Sequence, residues 1–156
     1  MKKTACSFTG HRVIREEKEN EVRKKVFYTI VDLIESGVTE FIAGGALGFD
    51  TIAAETVIAL KHKYPDITLR LILPCPEQSI KWKPRDKAVY LDILALADST
   101  EYVSTYYTDT CMLDRNRAMV DNSSILVAYY DGRKRSGTAM TVNYALKNGV
   151  KVINLF

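Results

Sequence analysis

The chain has 156 residues, 47% of them apolar and 26% charged, which excludes a disordered or fibrous protein and suits one domain with a core that needs no disulfide or metal staple. Its formal charge of +3 is too small to signal a nucleic-acid binder by itself. Cys6, Cys75 and Cys111 are scattered, with no CxxC or other zinc-ligand spacing, so no metal is expected and reduced thiols in the cytoplasm fit, with no signal peptide and no membrane insertion.

In chain order, Thr4 to Thr9 reads as a short apolar strand stopped by Gly10. Glu16 to Ser36 reads as a long helix, because Val22, Val26, Ile30, Leu33 and Ile34 recur at helical spacing and Gly37 stands where a C-terminal cap belongs. Thr39 to Ala43 is a second strand, ended by Gly44 and Gly45, and Asp50 is placed to cap the helix carrying Ile52, Ala53, Val57 and Leu60. Thr68 to Leu73 is a third strand, broken by Pro74 and Pro76. A helix from about Asp86 to Leu96 and a weaker strand, Glu101 to Ser104, follow. Leu113 to Val120 reads as helix, Ile125 to Tyr130 as a buried strand, Gly137 to Lys147 as helix and Val150 to Leu155 as the last strand. Asn148 and Gly149 supply the stop signal of that last helix.

Near-continuous apolar strands alternating with helices predict an α/β fold: a Rossmann-like, mostly parallel sheet with helices on both faces, filling residues 1–156 as a single domain. Ligands of such sheets bind at the carboxyl ends of the strands, and the unusual residues of this chain fall there. After the first strand come Thr9, Gly10, His11 and Arg12, a close-approach turn followed by two side chains that can reach an anion. After the second, Gly44, Gly45, Ala46 and Gly48 precede Asp50 and a helix whose free N–H groups favour phosphate. The pattern is neither GxGxxG nor a Walker loop. After the fifth, Asp131 and a basic run, Arg133 to Arg135, lead to Ser136, Gly137 and Thr138 at the start of another helix. Arg115, Asn116 and Arg117 form a polar cluster whose two-residue spacing turns one arginine to the cleft and the other to solvent. Each feature alone is also what a solvated turn or cap would show; their coincidence at three strand ends favours a phosphorylated, nucleotide-type ligand. Glu55, one turn into the second helix, is the candidate catalytic carboxylate, and no Ser/His/Asp set or HExxH is present. Trp82, among Lys81, Lys83 and Arg85, suits either base stacking or cover for one edge of the core.

The stretches FTGHR, GGALGFDTIAAE, RNRAMVDNS and SGTAMTVNYAL resemble the YpsA-like branch of the SLOG superfamily, over nearly the whole chain and in family order. The resemblance implies a Rossmann-like fold binding a nucleotide or a nucleotide-derived ligand such as NAD or ADP-ribose, and a link to bacterial growth or cell division. Gly44, Gly45 and Gly48 would cradle phosphate, Ser136, Gly137 and Thr138 would hold a second group, Arg12 and Arg115 would neutralise charge, and Asp131 or Glu55 would accept from ribose hydroxyls. Two related branches imply alternatives. The LOG phosphoribohydrolases cleave the base from nucleoside monophosphates; Thr141 stands where they carry a catalytic glutamate, so Glu55 would have to supply the carboxylate. The DNA-processing protein of bacterial DNA uptake, similar around Arg115 to Arg117 and Ser136 to Thr138, implies single-stranded DNA as a partner. A homo-oligomer is in keeping with related folds.

Overall fold

The computed structural model describes residues 4–156, so the first three residues of the expected domain lie outside the described residues. Eleven elements alternate along the chain: β1 (Ala5–Gly10), α1 (Glu16–Glu35), β2 (Glu40–Ala43), α2 (Phe49–Leu60), β3 (Thr68–Leu73), α3 (Pro84–Leu96), β4 (Ser99–Tyr102), α4 (Cys111–Asp121), β5 (Ile125–Tyr129), α5 (Gly137–Lys147) and β6 (Lys151–Asn154). All strand pairs are parallel and their order is β4-β3-β2-β1-β5-β6. The expected Rossmann-like α/β fold is therefore the observed one.

Side-chain alternation along the strands sorts the core into two layers. Cys6, Phe8, Phe41, Ala43, Leu69, Leu71 and Leu73 face α1, α2 and α3 through Val26, Ile30, Val57 and Ile93. Ala5, Ile42 and Ile72 face Met119 of α4, while Leu126 and Ala128 meet Val120, Val142 and Ala145 of α4 and α5. Because strand connections cross in a right-handed sense, the stepwise run from β1 to β4 stacks its helices on one face. The jump from edge strand β4 back to β5, on the other side of β1, puts α4 and α5 on the opposite face. That jump makes the gap between the carboxyl ends of β1 and β5 the topological switch point of the sheet.

Local signals set most boundaries. α1 ends at Glu35 and is capped by Ser36, with Gly37 N–H donating to Ile34 O at 3.0 Å and Val38 N–H to Leu33 O at 3.0 Å, and α5 ends with the same pair of bonds, from Gly149 to Leu146 O and from Val150 to Ala145 O. α3 begins at Pro84 rather than near Asp86, since proline suits a first helical position. β4 lies two residues earlier than the sequence suggests: all four of its residues are exposed, so no burial pattern marks it. Pairing of Arg70 with Ser99, and the Leu69 N–H bond to the Asp98 carboxylate at 2.7 Å, fix its register instead. Asp50 is not the cap of α2: Gly48 is the N-cap residue, no side chain caps it, and Asp50 is in the first turn. Among the described residues no helix is long and apolar enough to cross a membrane.

Candidate ligand site at the switch point

Gly10 and Tyr129 are paired at the ends of β1 and β5, and beyond them opens a cavity of about 460 Å³. Thr9, Gly10, His11, Arg12 and Val13 form its β1 wall, Ala46 comes from the β2–α2 connection and Asp50 from the first turn of α2, Met112, Arg115 and Asn116 from α4, Arg133 and Ser136 from the β5–α5 connection, and Gly137 and Thr138 from the first turn of α5. Four segments distant in sequence thus meet at one place, for the reason the topology gives.

Arg115 is the buried arginine of the Arg115/Arg117 pair, only 4% exposed, whereas Arg117 is exposed and lies over the Tyr144 ring at 5.7 Å. The Arg115 guanidinium donates to Gly44 O and to Asn116 Oδ1 at 2.7 Å, and one Nη rests 3.8 Å from Met112 Sδ. Arg12 reaches across from the opposite wall to the same sulfur, also at 3.8 Å. A thioether is a weak acceptor, so two guanidinium groups converge with N–H donors to spare. Asp50, 6% exposed, is the single carboxylate on the lining. Its Oδ2 accepts from Ala46 N–H at 3.4 Å; burial raises its pKa, opposed by the nearby charge of Arg115. Burial likewise depresses Arg115, opposed by Asp50.

At the entrance to α5, Ser136 caps the helix by accepting from Ala139 N–H at 3.0 Å, which leaves the first-turn N–H groups of Gly137 and Thr138 and the helix dipole for a ligand. His11 is buried, and its Nε2 accepts from Asp131 N–H at 3.0 Å while lying 3.1 Å from Asp131 Oδ1. Accepting that N–H requires the neutral ring with its proton on Nδ1. Burial lowers the His11 pKa, with Asp131 raising it and Arg133 lowering it. Asp131 in turn holds Arg133 by a fork: Nε at 3.0 Å from both carboxylate oxygens and Nη2 at 2.5 Å from Oδ2. Hydrogen bonds from Arg133 keep the Asp131 carboxyl well below the usual range.

Not every residue expected at the site reaches the cavity. Gly44, Gly45 and Gly48 lie behind its wall. A Cβ on Gly44 would stand 2.8 Å from Arg115 Nη1, one on Gly45 2.5 Å from Leu73 Cδ2, and one on Gly48 2.4 Å from Arg12 O. Gly45 and Gly48 also have positive φ, +69° and +76°. These glycines let three segments of the chain close on one another, and the Phe49 N–H at the start of α2 is taken by His11 O at 3.2 Å. Glu55 lies outside the cavity, paired with Arg23 at 3.2 Å on the α1–α2 side. Thr141 is buried and donates to Gly137 O at 2.8 Å. Asp131 stands one layer back, bound to His11 and Arg133. Trp82 packs edge-on against Tyr90 at 5.2 Å, as cover for the core. Phe8, Val13, Met112 and Arg133 line the cavity beyond the expected set. Met112 was findable: it lies three residues before Arg115 and four before Asn116, on the same helix face.

Comparison with known proteins gives the family. The model of the YpsA family, described as the YspA SLOG family, matches residues 9–153. The uncharacterized SPbeta prophage-derived protein YoqJ of Bacillus subtilis (strain 168) is 35% identical over 140 residues, covering 81% of each chain. Among solved structures, DNA processing protein A from Helicobacter pylori, described with a single-stranded DNA binding mode, superposes with a TM-score of 0.68 at 19% identity over 98% of this chain and 65% of its own. The corresponding protein from Streptococcus pneumoniae also gives 0.68, at 17% identity over 97% of this chain and 50% of its own. At such identities these structures speak for the fold alone. The family match spans all four segments that build the cavity, and the chain belongs to the YpsA SLOG family.

Proposed function

We propose that the chain binds a phosphorylated, nucleotide-type ligand in the switch-point cavity. The observation that carries this reading is the convergence of Arg12 and Arg115 on the Met112 sulfur, in a cavity also lined by the open first turn of α5, with Asp50 as the single lining carboxylate. Cationic side chains and helix N–H groups aimed into one concave space favour an anion, and about 460 Å³ lies within the usual range for small-molecule sites. Asp50 and Asn116 are placed to take hydroxyl or amine groups of the same ligand.

Isothermal titration with a panel of nucleotides, dinucleotides and ADP-ribose tests the reading. Arg12 is exposed and its guanidinium makes a single weak hydrogen bond, to the Met112 sulfur, so Arg12→Ala should leave the melting temperature unchanged. Loss of a charge-assisted hydrogen bond, ~1.5–3 kcal/mol, should weaken binding about 10- to 150-fold. Absence of binding across the panel, or binding unaffected by Arg12→Ala, would remove the proposal.

The likeness to the Helicobacter pylori protein, described with a single-stranded DNA binding mode, favours one second reading, in which the same arginines take the phosphate of a strand. Affinity for short single-stranded DNA that falls steeply with salt, without small-nucleotide binding, would move that reading to first place. The phosphoribohydrolase alternative would need its carboxylate from elsewhere in this cavity, because Glu55 lies outside it and Thr141 is engaged within α5.

A further inference from the structure

Arg133 lines the cavity, and the Nε and Nη2 edge of its guanidinium, the one suited to a bidentate anion, is held by Asp131. Asp131 is fixed in turn: its N–H is bound to His11 Nε2, and its Oδ1 accepts the Arg133 N–H at 3.0 Å, closing a tight local turn. The pair is on the surface side, with Arg133 56% and Asp131 23% exposed, where an ion pair is weak and exchangeable. Arg133 also stands on the β5–α5 connection, whereas Arg12 and Arg115 approach Met112 on α4. The cavity therefore has two arginines meeting at α4 and a third, on a different segment, that is engaged by a carboxylate.

Resting on the nucleotide reading above, we propose that Asp131 is a built-in competitor for Arg133, so that the site selects a ligand carrying a pyrophosphate. One phosphoryl group takes Arg12 and Arg115; the second displaces the Asp131 carboxylate from Arg133. A single phosphate satisfies the first pair and leaves the Asp131–Arg133 fork intact. Asp131 on this account opposes binding, which reverses the sign expected of a ribose acceptor.

The test compares AMP with ADP by isothermal titration on the wild type, Asp131→Asn and Arg133→Ala, with melting temperatures as a check on folding. Asparagine keeps an oxygen for the Arg133 N–H turn and removes the charge. Asp131→Asn should tighten ADP binding about 2- to 5-fold, the reach of an exposed ion pair, while AMP affinity stays within error. Arg133→Ala should bring ADP down to the AMP level. Weaker ADP binding in Asp131→Asn overturns the competitor role and restores Asp131 as a ligand acceptor, and equal ADP affinity in the wild type and Arg133→Ala overturns the pyrophosphate selection. If neither nucleotide binds any of the three proteins, the nucleotide reading itself has failed, a result separate from the other two.

Discussion

Replacing Gly48 by alanine should be among the costliest single-methyl additions in this chain. Gly48 has φ +76° and ψ −120°, outside the left-handed helical well, where an L-residue loses at least the roughly 1–2 kcal/mol of that well. Its new Cβ would lie 2.4 Å from Arg12 O, 2.5 Å from Arg12 C and 2.5 Å from His11 O, and these atoms are backbone, with His11 O already holding Phe49 N–H. Forcing such a contact apart adds ~1–3 kcal/mol, so the sum is about 2–5 kcal/mol. For a domain of this size that is a fall of roughly 4–20 °C in melting temperature. Gly149→Ala is the matched control: φ is +71° and nothing lies within 4 Å of the added carbon, so only the conformational cost of ~1–2 kcal/mol applies. Thermal unfolding by circular dichroism, with nucleotide titration alongside, reads both quantities. Gly48→Ala should lose the larger stability and also nucleotide affinity, because the His11–Arg12 loop must move; Gly149→Ala should keep its affinity. Equal losses of stability in the two variants would show that the close approach of the two loops carries no energy.

Two further outcomes follow from the site. Burial holds His11 below its ordinary value, so between the folded and unfolded pKa values the unfolded chain binds more protons, and stability falls as pH drops through about 6.5; His11→Asn should flatten the melting-temperature profile between about pH 7.5 and 5.5, and a profile as steep as the wild type's would exclude His11 as its source. Glu55 is outside the cavity and bound to Arg23, so Glu55→Gln should leave nucleotide affinity within error, whereas a fall of about 10-fold or more, the size of a lost charged hydrogen bond, would return Glu55 to the site.

Much of the architecture was legible because its signals are local. The α1 stripe of Val22, Val26, Ile30 and Leu33 is buried as its spacing requires, and Gly37 and Gly149 sit in the helix-ending geometry their sequence positions announce. The site was legible as a set of strand-end segments but not in its depth. Which of Arg115 and Arg117 turns inward depends on how α4 rests on β1 and β3, a tertiary matter that a two-residue spacing leaves open. Glycines that bind phosphate and glycines that let loops touch read alike in sequence; at Gly48 the difference is the Arg12 carbonyl, 36 positions earlier in the chain. The resemblance implies Asp131 as a ribose acceptor; that its carboxylate also forks onto Arg133, two residues on, shows only once the loop is folded.

The return of β5 to the flank of β1 also constrains how the protein can be synthesised. The chain up to Tyr102 can emerge from a ribosome and cover one face of β1, β2 and β3 with α1, α2 and α3, but Ala5, Ile42 and Ile72 on the other face wait for Met119. Pairing of Cys6 with Ile125 closes the longest loop in the sheet core, the kind of contact that forms slowly and leaves apolar surface exposed meanwhile. A nascent chain stalled before Cys111 would carry a half-bare sheet and lack Arg115, Arg133 and the start of α5. Such a product would be prone to aggregate and would lack the α4 and α5 side of the cavity lining, so in this fold the candidate site is complete only once α5 has begun.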